Sequence, residues 1–159
     1  MVPAASFRVR LASAADVDAF VAQRLELFAE AHGLDVGPER ERLAAGNRAA
    51  FASLVGGPGT WVWLAEERGG AVVGSAALHS FARFPSHSNP CAAEGYVSHV
   101  YVAPAHRRRG IGSALVDAIA SQARREGLFR VRLHATEPGR ALYETCGFRL
   151  RSNDMELRL

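Results

Sequence analysis

The order of apolar and polar residues in the first part of the chain predicts one strand and two helices. Residues 7–11, Phe-Arg-Val-Arg-Leu, alternate apolar and polar side chains, which is the period of a half-buried strand. Ser13 is placed to cap the helix that follows, because residues 16–32 carry apolar side chains at nearly helical spacing and a glycine comes next. A second helix is predicted over residues 38–54, with a proline in its first turn and a Gly-Gly-Pro-Gly segment after it.

Shorter apolar runs alternate with helical patterns in the rest of the chain. The predicted elements are strands over 61–65, 71–78, 95–102 and 130–134, helices over 111–125 and 140–145, and a final hairpin of 148–150 with 155–159. The first two of these strands form a hairpin turned at residues 68–70. Residues 80–93 break every period and include prolines, aromatic residues, an arginine and a histidine, so we expect a lid on the substrate side.

A basic turn with two glycines joins the strand at 95–102 to the helix at 111–125. The first N–H groups of a helix have no partner within it, and the helix dipole adds partial positive charge there. Gly110 and Gly112 carry no β-carbon, so phosphate groups can approach the backbone, and residues 107–109 supply three arginines. The sequence therefore predicts an anion site at the start of this helix.

Two known phosphate-binding motifs fit this turn poorly. A nucleotide P-loop requires a lysine, and the chain has none, since all 19 basic residues are arginine. A dinucleotide fingerprint requires a third glycine or an alanine where Leu115 stands, and it follows its strand directly, whereas residues 103–109 intervene here. A solvated basic loop and a nucleic-acid contact stay open as alternatives, although the net charge of +3 is modest and the remaining arginines are scattered.

Length and composition fit one globular domain over residues 1–159, with 48% hydrophobic and 22% charged residues. No run of about 18 apolar residues predicts a membrane span, and the N-terminus lacks the pattern of a signal peptide, so we expect a cytoplasmic protein without a membrane partner. Cys91 and Cys146 are far apart in the sequence, and no pair of histidines has the spacing of metal ligands. We therefore expect neither a disulfide nor a metal site.

Two stretches carry a family resemblance. Residues 101–104, Tyr-Val-Ala-Pro, and residues 107–112, with the pattern Arg-x-x-Gly-x-Gly, closely resemble the acetyl-CoA pyrophosphate loop of the GNAT superfamily of N-acyltransferases. Residues 141–148, Ala-Leu-Tyr-Glu-Thr-Cys-Gly-Phe, resemble the C-terminal signature of that superfamily. The motifs stand in the expected order and spacing, and the predicted order of strands and helices matches the GNAT fold. The resemblance thus covers nearly the whole chain.

The resemblance implies a single-domain α/β GNAT fold: a mixed central sheet of about six to seven strands with helices on both faces and a splay between strands four and five. It also implies that acetyl-CoA is the co-substrate. The pantetheine arm would pair, as an added strand, with the backbone of Val100, Tyr101 and Val102. The pyrophosphate would lie on Arg107, Arg108, Arg109, Gly110, Ile111, Gly112 and Ser113. The family often has an asparagine where Thr136 stands, which makes Thr136 a candidate coenzyme contact.

The same resemblance gives candidates for proton transfer. Tyr143 occupies the family's general-acid position, from which a phenol can protonate the leaving thiolate, with packing beside Phe148 as the structural alternative. Many family members use a glutamate on or just before strand four as general base, and Glu94 stands there. His99, with an ordinary pKa near 6.5, is a second candidate base, and a buried, hydrogen-bonded histidine is the alternative.

A period of two along strand four places Glu94, Tyr96 and Ser98 on one face and Val97, His99 and Tyr101 on the other. His79 and His134, on the neighbouring strands, are interpreted as structural. A covalent acetyl-cysteine route is disfavoured, because no His/Asp partner for Cys146 is evident.

The resulting hypothesis is acetyl transfer from acetyl-CoA to a primary amine by direct attack in a ternary complex. The acceptor would be a small molecule or a peptide, a nucleic-acid partner is not expected, and a homodimer is one open possibility for the assembly. The first alternative is a GNAT-fold sensor or regulator that binds an acyl-CoA without catalysis, which the lack of a working base would favour. The second is a nucleic-acid-binding protein that uses residues 107–109.

Overall fold

The computed structural model describes residues 7–34, 36–151 and 155–159, in which five strands form one sheet. The strands are β1 (Phe7–Leu11), β2 (Thr60–Glu67), β3 (Val72–Ala82), β4 (Ala93–Val102) and β5 (Val131–Arg132). The α-helices are α1 (Val17–His32), α2 (Pro38–Leu54), α3 (Ile111–Arg125) and α4 (Arg140–Thr145). The strands and helices predicted up to residue 145 are therefore confirmed, with shifts of a few residues at their ends.

The sheet is mixed and open. Its strand order is β1-β2-β3-β4-β5, and its pairs are antiparallel except for the parallel pair of β4 and β5. The described ranges contain five strands, whereas about six to seven are expected from the resemblance. Residues 148–150 and 155–159, predicted as a final hairpin, form no strand, and residues 152–154 lie outside the described residues. Alternation predicts burial of the apolar side chains in this segment, but Leu150 and Leu157 are 72% and 83% exposed.

Helices cover both faces of the sheet, as expected. Val62 and Trp63 are neighbours on β2, so their side chains point to opposite faces. Trp63 belongs to the core cluster beneath α3, which includes the fully buried Leu115. Val62 belongs to a second cluster with Phe20 of α1 and Phe51 of α2, whose ring centroids are 5.2 Å apart. The sheet is thus held between two apolar layers.

A β-bulge at Ser98 reverses the alternation of β4. In the pairing with β3, Ala77 lies opposite His99 and Leu78 lies opposite Val97, so Ser98 is the extra residue. Val97 accordingly joins the core beneath α3, whereas His99 packs against α1. The sequence-based placement of Val97 and His99 on one face is wrong, because a period of two holds only along a regular strand.

The strands β4 and β5 separate after a short contact. In the described ranges they pair only at Gly95 with Val131 and at Tyr96 with Arg132. Beyond this point, the edge of β4 that faces away from β3 has no strand partner in those ranges. This separation is the expected splay, and it leaves backbone groups near the end of β4 open to a ligand.

Candidate active site

The turn between β4 and α3 has the local geometry of an anion site. Gly110 caps α3 with a left-handed backbone, φ 81°, and the N–H of Ala114 bonds to the Gly110 carbonyl at 3.0 Å. The N–H groups of residues 111–113 therefore lie at the open end of the helix. Apart from chain neighbours, no described residue places an atom within 4 Å of where a β-carbon on Gly110 would stand. This geometry fits the coenzyme contacts expected at Gly110, Ile111 and the backbone of Ser113.

The three arginines of this turn have different surroundings. Arg107 donates from Nη2 to both carboxylate oxygens of Glu30 on α1, at 2.6 and 2.9 Å. Arg109 lies 3.4 Å from a carboxylate oxygen of Glu67 at the end of β2. Arg108 is exposed, its φ is 62°, and its side chain has no partner within the described part of the chain. Arg108 is therefore available to a phosphate, whereas Arg107 is held by α1.

Gly112 faces α4, unlike Gly110. Leu142 Cδ2 lies 3.0 Å from the position of a β-carbon on Gly112, so the missing side chain lets α3 and α4 pack closely. This contact corrects the expectation that both glycines leave their β-carbon position free for phosphate. The Ser113 side chain lies near the Cys146 thiol at the end of α4, where it partly offsets the effect of burial, which raises the pKa of that thiol.

The backbone of β4 beyond the bulge presents alternate residues to its open side. The Ala103 N–H bonds to β3 at 2.9 Å, so the amide groups of Tyr101 and Ala103 face β3. The amide groups of Val100 and Val102 face the other side, where β5 has ended, and the Val102 carbonyl accepts a hydrogen bond from Arg107 Nε at 2.9 Å. Val100 and Val102 are thus positioned to pair with a strand-like ligand, while Tyr101 is directed to β3.

The side chain of Tyr101 has a separate role in the turn. It is buried, and its hydroxyl donates to Glu30 Oε1 at 3.0 Å. Burial and the Glu30 carboxylate raise the pKa of Tyr101 to about 12, so the phenol stays protonated as a donor. Because Glu30 also binds Arg107, one carboxylate links α1, β4 and the turn. No sequence pattern singled out Glu30, which is one of several charged residues on α1.

Tyr143 lies on α4 beside Phe148, with ring centroids 5.8 Å apart and an interplanar angle of 66°. Burial raises the pKa of the Tyr143 phenol, and the Cys146 thiol adds to this shift, so the hydroxyl keeps its proton at neutral pH. A β-carbon on Gly139 would stand 3.1 Å from Thr136 Oγ1 and 3.4 Å from the Tyr143 ring. Thr136, which is exposed, and Tyr143 therefore flank the same glycine at the start of α4. The predicted packing on Phe148 is present, and the Tyr143 hydroxyl has no side-chain partner in the described ranges.

Glu94 is enclosed in a polar cluster at the start of β4. Its side chain is fully buried, and Oε1 contacts Arg83, Arg130 Nε at 2.6 Å and Asn89 Nδ2 at 2.8 Å. Burial opposes ionisation, but the two arginines outweigh it and hold the pKa of Glu94 below its ordinary value. A carboxylate stabilised in this way is a weak proton acceptor, and its second oxygen, Oε2, is also buried. This geometry argues against the expected base and indicates an anchor for the segment 83–92.

His99 is buried between the sheet and α1. Its Nε2 lies 2.7 Å from Ser75 Oγ, and its Nδ1 lies 3.5 Å from Arg24 Nη1. The ring meets Phe20 edge to face, with centroids 5.1 Å apart. Burial and the nearby Arg24 lower the pKa of His99 to about 3, so the ring is neutral at physiological pH and accepts a proton poorly. These surroundings match the buried, hydrogen-bonded alternative for His99.

A different histidine lines a cavity of about 230 Å³ between α1, α2 and the sheet. His79 of β3 has Nε2 2.8 Å from Ser98 Oγ and Nδ1 3.1 Å from Thr60 Oγ1. Burial and Arg24 lower the pKa of His79, which leaves its ring neutral at pH 7 and higher. The cavity also contains the side chain of Arg24. Sequence patterns gave His79 only a structural interpretation and did not single out Arg24, because only the bulge at Ser98 and the packing of α1 bring these residues to one cavity.

The described ranges give three further findings. No group of three or more His, Cys, Asp or Glu side chains there is arranged to hold a metal ion. No helix there is both long and apolar enough to cross a membrane. Cys91 and Cys146 are free thiols, each partly buried.

Comparison with known proteins decides the family. The sequence profile of the acetyltransferase (GNAT) family matches residues 23–148, a range that holds the basic turn, the open edge of β4 and Tyr143. The chain belongs to this family. The GNAT fold implied by the sequence resemblance is therefore confirmed, with an open mixed sheet of five strands in the described ranges.

This chain is similar to several acetyltransferases, over different shares of its length. A GCN5-related N-acetyltransferase from Ralstonia eutropha JMP134 is 28% identical, with a TM-score of 0.79 over 96% of this chain and 98% of that one. A predicted acetyltransferase from Clostridium acetobutylicum, solved with acetyl-CoA, has a TM-score of 0.82 over 96% of both chains; at 22% identity this likeness shows the fold alone. A glucosamine 6-phosphate N-acetyltransferase from Trypanosoma brucei brucei is 33% identical over 90 residues, 57% of this chain. The chain spans 59% of that relative's length.

Proposed function

We propose that this GNAT protein transfers an acetyl group from acetyl-CoA to an amine by direct attack in a ternary complex. The proposal rests on the junction of two features: the open start of α3 with the exposed Arg108, and the open edge of β4 at Val100 and Val102. The first feature suits a pyrophosphate, and the second suits an amide-bearing arm that pairs like a strand. Acetyl-CoA carries both groups, joined to its thioester.

The proposed transfer forms a C–N bond and breaks a C–S bond. The amine nitrogen attacks the thioester carbonyl carbon with its lone pair, and the sulfur leaves as a thiolate. The nitrogen must lose a proton and the thiolate gains one, so the reaction is helped by one acceptor and one donor. Tyr143 is the proposed donor, because burial raises the pKa of its phenol and keeps it protonated until the thiolate forms.

His79 is the proposed proton acceptor. Its ring lines the cavity beside Ser98, on the strand next to the part of β4 that would hold the coenzyme arm. The lowered pKa keeps the ring neutral, and so able to accept a proton, at neutral pH. The Ser98 hydroxyl would pass the proton on, taking one from the amine and giving its own to Nε2. In this proposal Glu94 anchors the segment 83–92, and His99 packs beneath α1.

The enclosure of Glu94 favours one alternative, a GNAT-fold module that binds an acyl-CoA without catalysis. Such a protein would keep the coenzyme turn and the open edge of β4, but no side chain would need to accept the proton of an amine. The two functions differ in a single measurable property, namely whether an added amine releases free thiol from bound acetyl-CoA.

Calorimetry with acetyl-CoA, followed by a free-thiol assay over a panel of amines, tests the proposed function. Acetyl-CoA should bind and raise the melting temperature, since it stabilises the folded state by mass action. Arg108→Gln should weaken binding roughly 10-fold, because it removes a charge-assisted contact to phosphate. Arg42→Gln, which removes the same charge from the exposed side of α2, is the matched control.

The outcomes of this experiment separate the candidates. Thiol release that requires an added amine supports the acetyltransferase. Binding of acetyl-CoA with no thiol release by any amine favours the acyl-CoA-binding module. A protein that does not bind acetyl-CoA, and instead binds DNA in a salt-sensitive way, would overturn both and favour a nucleic-acid role for residues 107–109.

A further inference from the structure

Among the described residues that line the cavity beside His79, one is charged. Its polar lining consists of Arg24 and Asn47 from the two helices and of Thr60, His79 and Ser98 from the sheet. Aromatic and aliphatic side chains of α1, α2 and the sheet, among them Phe20 and Phe51, complete the wall. Its volume of about 230 Å³ lies below the range of pockets for drug-sized ligands, so it suits a small molecule.

Arg24 has no carboxylate partner in the described ranges, whereas two arginines of α2 do. Arg40 and Arg48, on the neighbouring helix α2, pair with Glu26 and Asp18. Arg24 instead makes contacts with neutral groups: Nε donates to Asn47 Oδ1 at 3.2 Å, and Nη1 donates to the Ser98 carbonyl at 3.2 Å. These contacts fix its position without neutralising its charge.

The surroundings of Arg24 increase the effect of this uncompensated charge. The guanidinium is partly buried and lies over the Phe28 ring at 4.7 Å, and burial lowers the pKa of Arg24. The titratable groups facing it from the sheet are His79 and His99, whose lowered pKa values keep both rings neutral at pH 7. A cavity with a fixed positive charge and no negative one attracts an anion, because its low dielectric screens the charge weakly.

We propose that this cavity binds the acceptor amine and that Arg24 selects acceptors that carry an anionic group, a phosphate or a carboxylate. A guanidinium matches both groups through paired N–H donors, and a contact of this kind is stronger than one between neutral groups. This proposal rests on the proposed acetyl transfer. It adds the class of acceptor and the residue that selects it.

Binding and turnover are measured with matched pairs of amines that differ in one anionic group. The phosphate pair is glucosamine 6-phosphate with glucosamine, and the carboxylate pair is β-alanine with β-alaninamide. Binding of each amine is measured by calorimetry in the presence of CoA, and kcat/KM is measured by thiol release from acetyl-CoA. The anionic member of at least one pair should be preferred by roughly 10- to 100-fold, the range expected for a hydrogen-bonded charge. The pair that shows the preference identifies the anionic group.

Arg24→Gln should abolish this preference, and Arg48→Gln should retain it, because Arg48 carries the same charge on a helix of the same layer but pairs with Asp18 outside the cavity. Circular dichroism and acetyl-CoA binding show whether the Arg24 variant is folded. If the Arg24→Gln variant proves unstable, Arg24→Lys replaces it in the experiment. This variant keeps the positive charge and should retain part of the preference for the anionic amine.

Each outcome bears on a different claim. Acetylation with no preference for the anionic amine, or with a preference that survives Arg24→Gln, overturns the role of Arg24 and leaves the proposed acetyl transfer standing. Arg24-dependent binding of an anionic amine without acetylation supports the anion site and overturns the transfer. If no amine of either pair binds or reacts, the assignment of this cavity to the acceptor is wrong.

Discussion

Leu142 Cδ2 on α4 lies 3.0 Å from the position that a β-carbon on Gly112 would occupy at the start of α3. This contact would be tighter than most that real β-carbons make, so the two helices approach as closely as glycine allows. Gly110, two residues earlier, has open space at the same position and a φ of 81°. The two glycines of this motif therefore have different roles. Gly112 allows close contact between two helices, and Gly110 provides a left-handed backbone that is open to a ligand.

Gly112→Val should destabilise the folded protein by about 1–3 kcal/mol, because the added carbons overlap with Leu142. Thermal unfolding without ligand measures the loss. The double variant Gly112→Val with Leu142→Ala should lose less unfolding free energy than the sum of the losses in the two single variants, since alanine makes room for the valine. Full stability of Gly112→Val, combined with lost acetyl-CoA binding, would instead support the sequence-based idea that Gly112 serves phosphate approach.

Tyr143→Phe should lower kcat by about 10²–10⁴-fold, the usual contribution of a positioned acid, and leave the Kd for acetyl-CoA nearly unchanged. The phenylalanine keeps the ring that packs on Phe148 and removes only the hydroxyl, so the fold should be maintained. Single-turnover thiol release isolates the chemical step from product release. If that step keeps its rate, Tyr143 has a packing role and solvent protonates the thiolate.

Glu94→Gln should lower the melting temperature at neutral pH by roughly 5–10 °C, because Arg83 and Arg130 lose a buried charge partner. The sign of the pH dependence follows from the lowered pKa of Glu94. Its ionised form stabilises the fold above the ordinary value of 4.5, and this contribution is lost as the pH falls through the folded-state pKa. The difference between the parent and the variant in thermal unfolding should therefore shrink as the pH falls below 4.5.

The exposed Glu41 provides the control for this experiment, since Glu41→Gln removes the same charge from the surface of α2. At a temperature where Glu94→Gln is folded, its kcat should stay close to that of the parent. An unchanged melting temperature together with a kcat reduced by orders of magnitude would contradict the anchoring role of Glu94 and would support Glu94 as the general base.

His79→Asn should reduce kcat most at neutral pH and less at high pH, where the free amine is already deprotonated. Burial and Arg24 lower the pKa of His79, so the acidic limb of the parent's pH profile should lie below pH 6.5. His99→Asn is the comparison, because the pKa of His99 is about 3 and its removal should leave this limb in place. A limb that survives His79→Asn and disappears in His99→Asn would identify His99 as the base.

The sequence by itself determined the strands and helices up to residue 145 and the basic turn before α3. The spacing of apolar residues located α1, α2 and α3. The ends of these helices could also be predicted, because the residues that stop a helix or form a turn are adjacent to it in the sequence. The basic turn and the signature around Tyr143 are short local patterns, so they could be identified without knowing which elements pack together. They were sufficient to indicate the family that the comparisons confirm.

The tertiary structure decided which side chains meet. Glu94 is enclosed by Arg130, which lies on the chain before β5, and the bulge at Ser98 places His79 and Arg24 around one cavity. Gly112 meets Leu142 only because α4 folds back on α3. Each of these contacts joins residues far apart in the sequence, and its effect on pKa and accessibility comes from burial, which a local pattern of residues does not specify.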